Sequence, residues 1–206
     1  MRLYPAASPD APTLVFAHGA GAGHDHLWMR RVAQGLADRG VRVVTFNFPY
    51  TEAGRKLPDR GPALEAAFVA VWSEVAASAP GRVFAGGKSM GGRMASQAAA
   101  RHGFSPAPAG LVFFGYPLHP PNKPAQRRDT HLPAIDAPML FLSGTKDPFG
   151  SPEELRGLVD ALPLATLRLL EGGDHSIVAG KRVDPEGHLL ERAMDIAAAW
   201  ILAWAN

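Results

Sequence analysis

Three residue types that together support nucleophilic attack on an acyl carbonyl occur along this chain in a workable order: a serine set between glycines, then an aspartate, then a histidine. Gly87-Lys88-Ser89-Met90-Gly91 is a G-x-S-x-G segment. A serine hydroxyl is a weak nucleophile, so it needs a base within hydrogen-bond reach and a further group that holds the base in the right tautomer. Asp147 and His175 are the candidates for these roles. Asp147 lies in Ser143-Gly144-Thr145-Lys146-Asp147-Pro148, just past an apolar run, and His175 follows Glu171-Gly172-Gly173-Asp174, whose glycines allow the loop to fold over the serine. Asp174 adjoins His175, and chain neighbours rarely orient each other's side chains, so Asp147 is the expected acid. An attacked carbonyl also develops negative charge that needs two N–H donors. Met90, directly after the serine, and Ala20 in His18-Gly19-Ala20-Gly21-Ala22-Gly23 are expected to supply them, with His18 shaping the turn and Gly21 beside the substrate.

Other chemistries suit these residues less well. Gly-Lys-Ser imitates a phosphate loop, but Arg82 stands where that loop needs its first glycine. Gly19, Gly21 and Gly23 imitate a dinucleotide fingerprint, but the spacing fails at His24. His24 and His26 form an H-x-H pair with no third ligand in view, so no metal is expected and Asp25 reads as a helix cap. No cofactor is implied.

The elements that must carry these residues alternate strand with helix. Strands are expected at 13–17, 41–48, 82–86, 111–115, 139–143 and 166–170, and helices at 26–39, 63–79, 90–102, 152–162 and 186–204. Ser151 is placed to cap the fourth of these helices, with Pro152 in its first turn. Several strands are unbroken apolar runs, the pattern of strands covered on both faces. The expected fold class is therefore α/β, a three-layer α/β/α sandwich around a mostly parallel sheet, with residues 1–206 as a single domain. Residues 1–7 fit either an added strand or no regular structure. The G-x-S-x-G segment falls between strand and helix, where a tight turn lifts a serine above a sheet edge. Residues 117–138 form a long Pro-rich irregular stretch suited to one wall of a pocket. It carries Lys123, Arg127, Arg128 and His131, and Arg127 or Arg128 is a candidate for attracting an anionic substrate group. Lys88 reads as a solvent-facing residue at the pocket rim, with no role assigned.

Composition narrows the classes further. With 206 residues, 47% of them hydrophobic, the chain can bury a core unaided. The absence of cysteine excludes disulfides, a cysteine nucleophile and a thiolate zinc site. A formal net charge of +2 with no basic run argues against a nucleic-acid partner. The longest apolar stretch, 196–205, is too short to span a membrane, and the N-terminus is too broken by proline and aspartate for a signal peptide, so a cytoplasmic protein is expected. Oligomeric state is left open.

Taken together, Phe16-Ala17-His18-Gly19-Ala20-Gly21-Ala22-Gly23, Gly86-Gly87-Lys88-Ser89-Met90-Gly91-Gly92-Arg93, Gly115-Tyr116-Pro117-Leu118-His119-Pro120-Pro121 and the segment from Ser143 to Gly150 resemble the α/β-hydrolase superfamily. The nearer resemblance is to its bacterial dienelactone-hydrolase-like branch, related to the hydrolase-like domain of eukaryotic NSL-complex subunit 3. That resemblance implies a minimal lid or none, and a serine, acid and histidine where Ser89, Asp147 and His175 fall. The expected activity is a carboxylesterase- or thioesterase-like serine hydrolase acting on a small-molecule ester or thioester through an acyl-enzyme on Ser89. A peptidase lacks the cap that would select peptides, and a dehalogenase would place a carboxylate where Ser89 stands. Because the eukaryotic relatives act as scaffold subunits, a catalytically silent scaffold or binding protein is the alternative.

Overall fold

The computed structural model describes residues 1–205. Its strands are β1 (Arg2–Tyr4), β2 (Thr13–Ala17), β3 (Arg42–Phe46), β4 (Val83–Lys88), β5 (Leu111–Phe114), β6 (Met139–Gly144) and β7 (Ala165–Leu170). They form one sheet in the order β1-β3-β2-β4-β5-β6-β7. All neighbours are parallel except β1, which adds to the edge antiparallel with Arg2 opposite Thr45. The N-terminal segment thus forms a strand, paired at the sheet edge.

The helices are α1 (Leu27–Asp38), α2 (Pro49–Glu52), α3 (Gly61–Ser78), α4 (Met90–Ala100), α5 (Pro152–Asp160) and α6 (Leu189–Ala205). Side chains alternate across each strand, so one strand feeds two cores. In β2, Leu14 and Phe16 join the core under α1 and α6, whereas Val15 and Ala17 join the core under α3 and α4. Burial on both faces explains the continuous apolar runs, each large side chain contributing roughly 1.5–3 kcal/mol. At α1 the cap is His26, whose ring accepts from the Trp28 N–H, and Asp25 instead pairs with Arg2, so the expected capping by Asp25 is corrected. Ser151 caps α5 in a reciprocal box with Glu154. α2 was not expected, since four residues are too few for a periodic pattern.

Chain order reverses beside β2: β3 lies on one side of it and β4 on the other. In open α/β sheets a crevice forms at the carboxyl ends of strands flanking such a switch. Here the loop at 18–23 leaves β2 and Ser89 leaves β4, so both open onto that crevice. Farther along the same edge, Asp147 follows β6 and His175 follows β7. Segment 117–138 has no helix beyond the single 3-10 turn Leu132–Ala134.

Candidate active site

Ser89 occupies a backbone conformation that L-residues avoid, with φ 50° and ψ −115°, between the last residue of β4 and the first of α4. Its N–H donates to the Phe114 carbonyl at 3.0 Å, which anchors the turn to β5. The flanking glycines are required by contact. A Cβ on Gly91 would lie 2.3 Å from the Ala17 carbonyl oxygen, and one on Gly87 would lie 2.6 Å from the same atom. Helix and strand could not pass this closely if either residue carried a side chain.

His175 bridges the other two residues. Its Nδ1 lies 2.8 Å from Asp147 Oδ2 and its Nε2 lies 2.8 Å from Ser89 Oγ. The carboxylate can only accept, so Nδ1 carries the proton and a neutral ring presents Nε2 as acceptor to the Ser89 hydroxyl. Asp147 is only 5% exposed. Its other oxygen accepts the Phe149 N–H at 2.9 Å, and the Phe149 ring stacks on His175 at 4.2 Å between centroids. The β6 and β7 ends meet tightly, since a Cβ on Gly144 would fall 2.0 Å from the Gly173 carbonyl oxygen. Asp174 folds the histidine turn, accepting the Ser176 and Val178 N–H groups at 2.7 and 3.1 Å.

Lys88 departs from its sequence reading. It is buried, 9% exposed, and its ammonium donates to the His175 backbone carbonyl. Its Nζ also lies 5.6 Å from the centre of the Trp28 ring, and the Trp28 indole N–H donates to the Ser176 carbonyl at 2.9 Å. Two donors from beneath the turn therefore hold the backbone that carries His175. Burial lowers the Lys88 pKa from its ordinary 10.5 to about 8, against the opposing pull of Asp147 and Asp174. Strand parity was the missed signal: Lys88 shares a face with Phe84, which lies in the α1/α6 core.

The loop after β2 is organised by His18. The Phe48 N–H donates to its Nε2 at 3.2 Å, so Nδ1 carries the ring proton and donates to the Gly19 carbonyl at 2.8 Å. In a trans peptide the carbonyl and the following N–H point in opposite directions. Fixing the Gly19 oxygen therefore fixes the direction of the Ala20 N–H. Burial lowers the His18 pKa, which keeps the ring neutral for this role. Met90 opens α4, and first-turn N–H groups have no acceptor within their own helix. Ala20, Gly21 (φ +73°) and Met90 line the same cavity of about 590 Å³ as Ser89 and His175. Trp28, Leu64, Pro117 and Phe149 give the cavity an apolar wall.

A second serine–histidine contact lies deeper on α4, where Ser96 Oγ is 2.8 Å from His131 Nε2. Ser96 is fully buried, gives its one hydroxyl proton to the Arg93 carbonyl and so accepts from His131 Nε2, and does not line the cavity. Of the arginines expected near the substrate, Arg128 lines the cavity and Arg127 does not. Arg127 is ion-paired with Asp129 and Glu154. Arg93, four residues past Ser89, also lines the cavity. It escaped the sequence reading, although residues four apart share a helix face. Among the described residues no group of three or more His, Asp or Glu side chains is gathered to hold an ion, and no helix is long and apolar enough to cross a membrane.

A family model described as an alpha/beta hydrolase domain matches residues 10–205. Among solved structures, a dienelactone hydrolase from Anabaena variabilis is similar at 20% identity, over 99% of this chain and 91% of that one, with a TM-score of 0.77. Est1E from Butyrivibrio proteoclasticus with ferulic acid bound is similar at 16% identity, covering 98% and 94%, with a TM-score of 0.74. An esterase of Pyrococcus furiosus follows at 17%, covering 96% and 85%, with a TM-score of 0.72. At these identities the likeness establishes the α/β-hydrolase fold.

Proposed function

The chain belongs to the alpha/beta hydrolase domain family, and from that membership we propose that it is a serine hydrolase cleaving an ester or thioester through an acyl-enzyme on Ser89. One observation carries the reading: a single imidazole stands 2.8 Å from both the Ser89 hydroxyl and a buried carboxylate. The whole site lies within one sheet and its loops, and residues 1–206 are read as one domain.

In this mechanism Ser89 Oγ bonds to the acyl carbon while its proton passes to His175 Nε2. The Ala20 and Met90 N–H groups stabilise the charge on the carbonyl oxygen, aided by the N-terminal end of α4. Collapse of the tetrahedral species breaks the bond to the alcohol or thiol, which leaves with the proton from His175. Water then gives a proton to His175 and attacks the acyl-enzyme, and Ser89 recovers its proton as the acid departs. Asp147 stabilises the imidazolium formed in each half-reaction, and Lys88 and Trp28 keep the ring in register through its backbone. The apolar wall suits a small acyl group, and a fold relative that holds ferulic acid supports a small carboxylic acid as product.

A fluorophosphonate probe and a panel of esters and thioesters, applied in parallel to the wild type and Ser89→Ala, test the assignment. Labelling at Ser89 with turnover lost in the variant supports it. Folded protein that neither labels nor turns over any member of the panel is a silent scaffold.

A further inference from the structure

The charged side chains lining the cavity differ in what already satisfies them. Asp59 is paired with Arg55 at 2.7 Å, and the Lys88 ammonium is directed at the His175 carbonyl. Arg93 and Arg128 form no ion pair and no side-chain hydrogen bond among the described residues, and Arg93 Nε is fully buried without a partner. Nearby carboxylates are engaged elsewhere: Asp129 by Arg127, and Glu154 by Arg127 and His119.

Leaving two guanidinium groups on one cavity wall without a counter-charge opposes stability. A buried donor without an acceptor loses hydration for no return, and like charges repel. The backbone at these positions is nevertheless firmly held. The Arg93 N–H donates to the Ser89 carbonyl at 3.1 Å. The Arg128 N–H donates to the Leu118 carbonyl at 2.9 Å, and its own carbonyl accepts the Tyr116 hydroxyl at 2.8 Å. Fixed backbones with unclaimed head groups are what an anion-binding site requires. His131, the other basic group close to Arg93, is bound to Ser96, and burial and the Arg93 charge lower its pKa to about 4, so it adds no charge.

We propose that Arg93 and Arg128 form an oxyanion subsite beside Ser89, so that the ester or thioester this site takes carries a carboxylate or phosphate group. The substrate part of this inference rests on the hydrolase reading, whereas the binding part stands without it. Arg127, one residue from Arg128 but turned to Asp129 and Glu154, is the built-in control.

The test compares kcat/KM for mono-p-nitrophenyl glutarate and p-nitrophenyl pentanoate, matched in chain length, in the wild type, Arg93→Gln, Arg128→Gln and Arg127→Gln. Calorimetric titration with glutarate and with inorganic phosphate accompanies it. The wild type is expected to prefer the carboxylate ester by roughly tenfold or more, and that preference should fall about 10- to 100-fold in Arg93→Gln and Arg128→Gln while Arg127→Gln retains it. Affinity for the anions should fall in the same two variants, and the tighter of the two identifies the group as carboxylate or phosphate. Equal use of both esters, or a preference unchanged by Arg128→Gln, overturns the substrate inference. If Arg93→Gln does not fold, Arg128→Gln decides. If neither ester is turned over, the titrations still decide the subsite, and the hydrolase reading is judged separately by the fluorophosphonate probe and the ester and thioester panel. Anion binding weakened in Arg128→Gln then supports it, and absence of binding to wild type overturns it.

Discussion

Two serine–histidine pairs lie two turns apart along α4, each with oxygen and nitrogen separated by 2.8 Å: Ser89 with His175, and Ser96 with His131. By that distance alone they are indistinguishable. Their surroundings differ in every respect that bears on chemistry. Ser89 stands at a strained turn at the mouth of a helix and lines a cavity, and its histidine has a buried carboxylate behind it. Ser96 lies inside the helix, bonded back to the Arg93 carbonyl and outside that cavity, and among the described residues no carboxylate is hydrogen-bonded to the His131 ring. The pair at Ser96 instead reaches Tyr116 at 3.4 Å, whose hydroxyl holds the Arg128 backbone, so it reads as a brace for the 117–138 segment. A hydroxyl close to an imidazole becomes a nucleophile only where the ring's other nitrogen is charge-stabilised and a substrate can arrive.

The largest effect that would separate the two pairs is on turnover. Ser89→Ala should lower kcat by about 10⁴- to 10⁶-fold, whereas Ser96→Ala should stay within roughly threefold on a neutral ester. Comparable losses in both would erase the distinction. Asp147→Asn should cost about 10³- to 10⁴-fold in kcat with the fold retained by circular dichroism, because an amide favours the wrong tautomer of His175. No residue beside His131 should have a comparable effect.

Lys88→Met sharpens the contrast at the level of positioning. Loosening the backbone under His175 should lower kcat about tenfold with a smaller change in KM. Stability carries a second signature. The Lys88 pKa is about 8 in the folded chain against an ordinary 10.5. Between those values the unfolded chain holds a proton that the folded chain lacks, so this residue's contribution rises as pH increases from about 8 to 10.5. Chemical denaturation across that range should show the rise in wild type and its loss in Lys88→Met.

The second pair should respond on the acid side. His131 has a folded pKa of about 4 against an ordinary 6.5, so stability is lost as pH falls through that interval. His131→Gln should flatten that loss. Ser96→Ala should cost roughly 1–2 kcal/mol of unfolding free energy, the smallest of these effects, for one buried hydrogen-bonded hydroxyl.

Much of this arrangement was legible in the chain. The strand at 13–17 matches its expected bounds, and most other elements fall within two or three residues of theirs. The serine between strand and helix and the positions of Asp147 and His175 past later strands follow from hydrophobic period and short motifs. The elbow glycines are legible as part of such a motif, although what requires them is the Ala17 carbonyl of β2. What was missed depends on contact. Lys88 read as a rim residue because a lysine in isolation favours water. The Trp28 ring, the His175 carbonyl and the nearby Asp147 and Asp174 charges make its burial tolerable. Arg127 and Arg128 were equivalent as neighbours in a basic loop until Asp129 and Glu154 claimed one of them.

The amino-acid sequence by itself thus determined the alternation of strands and helices and the glycine-flanked serine motif, which rest on patterns within a turn or two of chain, and it displayed the order of serine, acid and histidine directly. The tertiary structure alone decided which histidine meets which serine, what holds the buried lysine and which arginines face the cavity. Those contacts join positions up to 87 residues apart, and they are set by the order in which the strands lie side by side, which no local pattern encodes.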